Sequence, residues 1–193
     1  MAKLTPFLDE KELRAIHWSR KIAGKRVFIG DMTDIFGEWV PDLMIAELWT
    51  TFSQRPDVTF QVLTKRAERM RRLWAEDMPP LPNVWNGVSV EDQQRADERI
   101  PHLLQTPAAV RFISAEPLLG PIDLKENISN LDWVIVGGES GPKFRACDVA
   151  WITAIVDQCR DASVPVFVKQ DAHRLPGQQG RIPDEYFIHE FPR

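Results

Sequence analysis

Charged side chains follow several of the short apolar runs in this sequence. The clearest are the acids Asp31, Glu116 and Glu139 and the lysines Lys65 and Lys169. Carboxylates and ammonium groups that lie together can hold a polar or zwitterionic ligand, and they can also exchange protons with it. These five residues are far apart in the sequence, so any shared chemistry depends on a fold that brings them to one place.

Six apolar runs have the composition of strands that are buried on both faces. They are rich in Val, Ile and Phe and occupy residues 26–31, 59–65, 83–89, 110–116, 133–139 and 164–170. Helix-length segments separate them, which predicts a repeated strand-then-helix unit and a parallel sheet. We therefore predict an α/β fold, a partial (β/α) barrel of about six parallel strands. The carboxyl ends of such strands meet at one rim.

Four of the intervening segments have apolar side chains at helical spacing. They are residues 42–52, 67–75, 91–105 and 148–162. Pro101 is expected to kink or split the third helix. Residues 118–130 are expected to hold only a brief helix. The whole chain, 1–193, is predicted to be one domain, with 171–193 as a loop and tail packed on the mouth or bottom of the barrel.

The composition excludes several classes of protein. With 24 basic and 28 acidic side chains the net charge is −4, which does not indicate a general nucleic-acid or membrane-surface binder. The arginine-rich segment 66–72 is better explained as a solvated helix face than as a track for a phosphate backbone. No run has the apolar length of a membrane span, and residues 1–7 lack the core of a signal peptide. We therefore expect a cytoplasmic protein that does not engage a membrane.

The cysteines and histidines do not suggest a metal site. Cys147 and Cys159 are twelve positions apart, which matches neither zinc nor redox spacing. Both are expected to be reduced, one of them buried and the other partly exposed. The four histidines are scattered and belong to no zinc-hydrolase or Ser-His-Asp motif.

The predicted rim combines both charge signs with a glycine-rich turn at 137–141. That turn has two interpretations: it presents backbone N–H groups to an anion or a cofactor's polar edge, or it is simply a tight turn. The rim lysines also have two interpretations: they contact a ligand, or they pair with Glu116 and Glu139 in a buried network. We favour a polar ligand pocket. Its candidate residues are Asp31, Asp34, Lys65, Ser89, Glu91, Ser114, Glu116, Gly137, Gly138, Glu139, Ser140, Arg145, Lys169 and Gln170.

Six ordered segments of the sequence resemble the phage-associated three-Cys-motif family, a group of radical-SAM-like proteins. They are GDMTDIF at 30–36, FQVLTKR at 60–66, NVWNGVSV at 83–90, FISAEPLL at 112–119, WVIVGGESG at 133–141 and VFVKQ at 166–170. The resemblance covers nearly the whole chain from about Trp18 onwards. It implies a radical-SAM-like, TIM-like partial barrel. It also implies that Asp31 lies where such barrels hold the amino group of S-adenosylmethionine, with Ser89, Ser114 and Glu139 near its ribose or adenine.

One part of the family pattern is missing from this sequence. Family members are expected to hold an iron–sulfur cluster on three closely spaced cysteines in an N-terminal segment, and only Cys147 and Cys159 occur here. A cluster requires thiolates that are held together, so we expect none on this chain and no reductive cleavage of S-adenosylmethionine by it alone. Three explanations stay open: a second polypeptide supplies the segment, the sequence is truncated or a remnant, or the barrel has been re-used for binding.

These observations leave three functional hypotheses. The first is a phage-type, radical-SAM-like barrel that binds S-adenosylmethionine or a related polar or nucleotide ligand at its mouth. The second is a non-catalytic, phage-encoded interaction or inhibitor module that contacts a phage or host protein. The third is an independent enzyme with acid–base chemistry by Glu116 or Glu139 and Lys169. If the barrel lacks a first strand, the edge at 26–31 should be unpaired, or covered by residues 8–22 or a partner.

Overall fold

The six predicted strands form one parallel sheet. The computed structural model describes residues 9–30, 33–76, 78–124 and 126–192. Neighbours in the sheet follow the order of the chain, so each strand pairs with the next, and the sheet curls into a half-barrel. This confirms the predicted partial (β/α) barrel. The strands are β1 Arg26–Ile29, β2 Thr59–Thr64, β3 Val84–Ser89, β4 Val110–Ala115, β5 Trp133–Gly137 and β6 Val166–Gln170.

Helices occupy most of the connections between strands. The connections contain α2 Asp42–Ser53, α3 Ala67–Glu76, α4 Gln93–Leu104 and α5 Val149–Ala162, and helix α1 Glu10–Trp18 precedes the first strand. Helix α4 continues through Pro101 as one element, so the proline does not split it. The β4–β5 connection contains the short 3₁₀ turn Ile128–Asn130, as expected. No described helix combines the length and the apolar character needed to cross a membrane.

Side-chain alternation along the strands divides the sheet into two faces. The convex face is buried under the helices and forms the main core. Strand residues of this core include Phe60, Val62, Val88, Ile113, Val134 and Val168, and helix residues include Ile45, Phe52, Met70, Leu73, Ile100 and Ile152. The intervening strand residues face the concave side, where a smaller cluster surrounds Phe112, Trp133 and Ile135. The main core therefore lies between the sheet and the helices, and the concave face has only the smaller cluster.

The N-terminal segment packs on a helix. Helix α1 lies against α2, and Arg55 donates hydrogen bonds to the carbonyls of His17 and Ser19, both at 3.1 Å. Asp57 holds the Arg55 guanidinium in place with two contacts of 2.8 Å. Among the described residues no further strand pairs with the outer edge of β1.

The C-terminal tail, residues 186–192, runs antiparallel along the outer edge of β6. The Val168 amide donates to the Ile188 carbonyl at 2.7 Å, and the Glu190 amide donates to the Val166 carbonyl at 2.9 Å. The tail therefore covers the edge of the last strand and adds its own side chains to the concave face.

Candidate functional site

The concave face encloses a cavity of about 640 Å³. Its walls come from β1, β2, β4, β5 and β6, from the loop after β6 and from the tail, and they include six aromatic side chains. The aromatic wall residues are Phe28, Trp133, Phe167, Phe187, His189 and Phe191. Cavities of this size with apolar walls and a few polar groups are typical of small-molecule sites.

Trp133 is the centre of the aromatic floor. Its ring centroid lies 5.3 Å from that of Phe191, 5.6 Å from Phe112 and 5.9 Å from Trp85. The indole N–H donates to the Glu190 carbonyl at 2.9 Å, so its polar atom is satisfied by the tail. The floor is therefore packed and fixed, and its apolar surface faces the cavity.

One polar group in this cavity has no partner. Gln61 is 8% exposed and lines the cavity, and its Nε2 has no hydrogen-bond partner within the described part of the chain. A buried amide without a partner has lost its hydration and gained nothing in return, which is rare in folded proteins. The amide group of Gln61 is therefore available to a ligand that enters the cavity.

An ion pair lies on the rim above the aromatic floor. Lys169 Nζ contacts Glu116 Oε2 at 2.8 Å, and Gln170 Nε2 donates to Glu116 Oε1 at 3.1 Å. A register shift between β5 and β6 at Gly137 allows these two consecutive residues to reach the same carboxylate. Glu116 and Lys169 both line the cavity. The rim therefore offers one negative and one positive charge to a ligand.

A second charged group lies at the ends of β2 and β3. Glu91 is buried between Lys65, which pairs with its Oε1, and Arg99, whose Nη1 is 2.9 Å from its Oε2. Arg99 Nη1 also donates to the Ser89 carbonyl at 2.7 Å. Burial is the largest single influence on the pKa of Glu91 and raises it. The hydrogen bond from Lys65 and the positive charges of Arg99 and Lys65 lower it, and together they hold the pKa of Glu91 below its ordinary value.

A third charged group closes the glycine-rich turn after β5. Arg145 donates to the Glu139 carboxylate from Nε at 2.8 Å, from Nη2 at 2.9 Å and from its backbone N–H at 2.8 Å. These hydrogen bonds, the side-chain one above all, lower the pKa of Glu139 to about 2. The turn is therefore fixed by its own ion pair.

The other predicted residues have mostly local contacts. Asp34 accepts hydrogen bonds from Thr64 Oγ1 at 2.7 Å and from the Lys65 amide at 2.9 Å, and so joins the β1 loop to β2. Ser89 and Ser114 are buried neighbours in the β3–β4 register, and Ser114 also lines the concave cavity. Asp31 lies outside the described residues.

The glycine-rich turn packs against the loop that follows β6. A Cβ on Gly138 would lie 2.7 Å from Ala172 Cα, so the close approach of these two loops requires glycine. Ser140 forms a parallel bridge with His173. Gln170 is fully buried and donates to the Gly138 carbonyl at 3.0 Å. These contacts support the tight-turn interpretation of the segment.

The rim lysines and acids form three separate groups in place of one cluster. Lys65 pairs with Glu91, Lys169 with Glu116, and Glu139 with Arg145. The strand ends lie along the arc of a curled sheet, and even side chains as long as lysine and arginine pair there with groups on the same connection or no more than two strands away. Only the Glu116–Lys169 group lines the concave cavity.

Both cysteines are buried, so the expectation that one is partly exposed was wrong. Cys147 precedes α5 and Cys159 lies inside it, where each packs in the main core. Burial raises the pKa of Cys147 to about 11 and that of Cys159 to about 12. Among the residues that the structure describes, no three His, Cys, Asp or Glu side chains are grouped as metal ligands.

Several residues of the site were missed from the sequence. Gln61 had a detectable signal, because it is an amide within the apolar run 59–65 at an alternate position to Phe60 and Val62. Arg99 carried none, since helical charges are usually solvated. The tail was predicted to pack on the mouth or bottom of the barrel, but nothing in the sequence placed Phe187 and Phe191 in the concave cavity.

The chain belongs to a family that is described only as a protein of unknown function, DUF5131, whose model matches residues 4–192. No match was found among curated proteins or among solved structures. The family places no substrate or partner on the site, so its chemistry must be inferred from the geometry.

Proposed function

We propose that the concave cavity binds a small molecule that joins a planar ring to a polar, zwitterionic end. The observation that carries this proposal is the buried, unpartnered amide of Gln61 in a cavity with aromatic walls. An aromatic wall favours a planar ring, and the amide provides a hydrogen-bond donor for its polar edge. The ligand class is therefore that of nucleosides and their conjugates.

S-Adenosylmethionine is the member of this class that the sequence resemblance suggests. Its adenine suits the Trp133 and Phe167 walls, and its amino-acid end carries the two charges that Glu116 and Lys169 complement. The Gln61 amide supplies the hydrogen bond that a heterocycle or ribose requires. When bound, this molecule supplies a sulfonium-activated methyl group.

An iron–sulfur cluster does not fit the described residues. Cys147 and Cys159 are separated along the chain and buried, and burial raises the pKa of each thiol well above the ordinary range. Thiols in that state are poor ligands, because a metal binds the thiolate. We therefore propose that this chain binds the ligand and does not itself hold the cluster.

Calorimetric titration of the full chain with S-adenosylmethionine tests the proposal. We expect saturable binding in the micromolar range. Gln61→Leu keeps the shape of the side chain and removes its amide, so binding should be lost while stability is unchanged or higher. Gln54→Leu, the same change at the exposed end of α2, is the matched control and should bind normally.

Two results would overturn the proposal. The first is no heat with S-adenosylmethionine, adenosine or methionine at millimolar concentration. The second is equal affinity in the wild type and in Gln61→Leu, which would mean that the amide contacts no ligand.

A second candidate function is protein interaction through the first strand. The outer edge of β1 pairs with no strand in the described part of the chain, and Phe28 on this strand is 39% exposed. Free strand edges accept a strand from another chain. A partner that supplies the cysteine segment, or a phage or host protein, would add at this edge. Hydrogen exchange that slows at residues 26–29 on mixing with such a partner would support this function, and unchanged exchange would contradict it.

A further inference from the structure

A second cavity, of about 290 Å³, lies between the start of α3 and the last turns of α4. Its walls include Lys65, Arg66 and Ala67 on one side and Arg99 and His102 on the other. It shares no lining residue with the concave cavity. Any ligand bound here would therefore occupy a separate site.

Two buried nitrogen atoms on α4 have no partner at this cavity. Arg99 is 9% exposed, and its Nε has no acceptor among the described residues although its Nη1 is fully used. The Nδ1 atom of His102, one turn further on, is also buried without a partner. Arg99 Nε is always an N–H donor, and His102 Nδ1 is a donor in the tautomer or the imidazolium that carries a proton on it. A buried N–H group requires an acceptor. Two such atoms beside one cavity favour a ligand rich in acceptor oxygens.

The first turn of α3 supplies more donors to the same cavity. Ala67, Glu68 and Arg69 line it, and the first backbone N–H groups of a helix have no intrahelical acceptor. The helix dipole makes this end positive, which favours an anion. Helix α3 has ten residues, so its dipole is developed.

The charged side chains at the cavity are compatible with an anion. Its cations are Lys65, Arg66, Arg69 and Arg99, and its carboxylates are Glu38, Glu68 and Glu98. Two of these carboxylates have cationic partners, because Glu38 lies 3.1 Å from Arg66 and Glu98 lies 2.6 Å from Arg95. The other cations have carboxylate partners too, since Lys65 and Arg99 pair with Glu91 and Arg69 pairs with Asp42. The case for an anion therefore rests on the unpartnered N–H groups and not on surplus positive charge. Arg66 is also partly exposed, so its remaining N–H groups can turn to a ligand.

We propose that this cavity binds a phosphate group. Its oxygens would accept from Arg99 Nε, from His102 Nδ1 and from the first amides of α3. This site shares no lining residue with the concave cavity, and inorganic phosphate alone is its probe, so its test does not depend on the ligand proposed above.

Thermal unfolding of the full chain with inorganic phosphate, against sodium chloride at equal ionic strength, tests this site. We expect a saturable rise of the melting temperature with phosphate and none with chloride. Arg66→Ala and His102→Leu should each weaken phosphate binding about tenfold. Arg72→Ala removes the same charge from an exposed position on α3 that does not line the cavity, and it should bind phosphate normally.

Three results would overturn the proposal. They are equal effects of phosphate and chloride on the wild type, equal weakening in Arg66→Ala and Arg72→Ala, and unchanged binding in both Arg66→Ala and His102→Leu. Phosphorus NMR of the same samples provides a second readout for a variant that melts too early for the thermal assay, because bound phosphate broadens and shifts.

Discussion

The guanidinium carbon of Arg26 lies 3.7 Å from the centre of the Phe191 ring. Arg26 begins the first strand, and Phe191 belongs to the tail that runs beside the last strand. The two side chains therefore bridge the open side of the half-barrel at the amino ends of its strands. The contact is a favourable cation–π interaction, and Phe191 also packs against Trp133 in the aromatic floor. The cavity is thereby closed at one end and open at the rim that carries Glu116 and Lys169.

Phe191→Ala should open the cavity floor. Phe191 is partly buried against Trp133 and Phe167, so we expect a loss of about 1–3 kcal/mol in the free energy of unfolding. Urea denaturation measures this loss, and faster hydrogen exchange of the Trp133 indole N–H would show that the tail has loosened. Phe144→Ala, at an exposed phenylalanine, is the control and should cost less than about 0.5 kcal/mol. Equal losses in the two variants would mean that the tail does not support the floor.

The rim ion pair and the buried amide beside it should contribute unequally to stability. Lys169→Ala should cost about 1 kcal/mol, because Lys169 is half exposed and Gln170 still donates to Glu116. Gln170→Leu should cost about 2–4 kcal/mol, since it leaves the Gly138 carbonyl and the Gly177 amide without a partner. Arg72→Ala provides the solvated control, at less than about 0.5 kcal/mol. Chemical denaturation ranks the three variants, and a larger loss for Lys169→Ala than for Gln170→Leu would contradict the order.

The two cations of the Glu91 group should also differ. Arg99→Met should cost about 3–5 kcal/mol, because it leaves a buried carboxylate with one exposed partner. Lys65→Met should cost less than about 1 kcal/mol, since Lys65 is about half exposed and Arg99 remains. Similar losses in denaturant unfolding would show that Glu91 is more hydrated than its burial suggests.

The Glu139–Arg145 pair should make stability depend on acid pH. The folded pKa of Glu139 is about 2, below the ordinary value of 4.5. The folded state therefore binds this proton less tightly than the unfolded state does. The resulting stabilisation is complete above pH 4.5 and is lost as the pH falls towards 2. In Arg145→Gln, the pKa of Glu139 should rise towards its ordinary value, and that part of the pH dependence should shrink.

A carbon-detected NMR titration of the Glu139 carboxyl in the wild type and in Arg145→Gln measures this change. Arg160→Gln, at an arginine that contacts Asp157 and not Glu139, should leave the Glu139 titration where it is. An unchanged Glu139 pKa in Arg145→Gln would contradict the assigned cause.

The candidate site could be predicted only in part from the sequence. The rim residues were identified because parallel strands end on one side of a sheet, and Lys169 does pair with Glu116 as one interpretation held. The division of the charges into three groups was not predictable, because it depends on how far the sheet curls. Lys65 pairs with Glu91 on the adjacent connection, and Glu91 also pairs with Arg99. Glu139 pairs with Arg145, six residues further along its own loop.

The sequence by itself determined the six strands, their parallel order and most of the helices, because these follow from local apolar patterns and from the short connections between neighbours. Only the tertiary structure decided what faces the concave side. The orphaned amide of Gln61 and the contact of Arg26 with Phe191 both depend on sheet curvature and on a tail that returns to the last strand. The curvature of the sheet and the position of the tail arise from packing between residues that are distant in sequence. Local sequence patterns do not predict that packing.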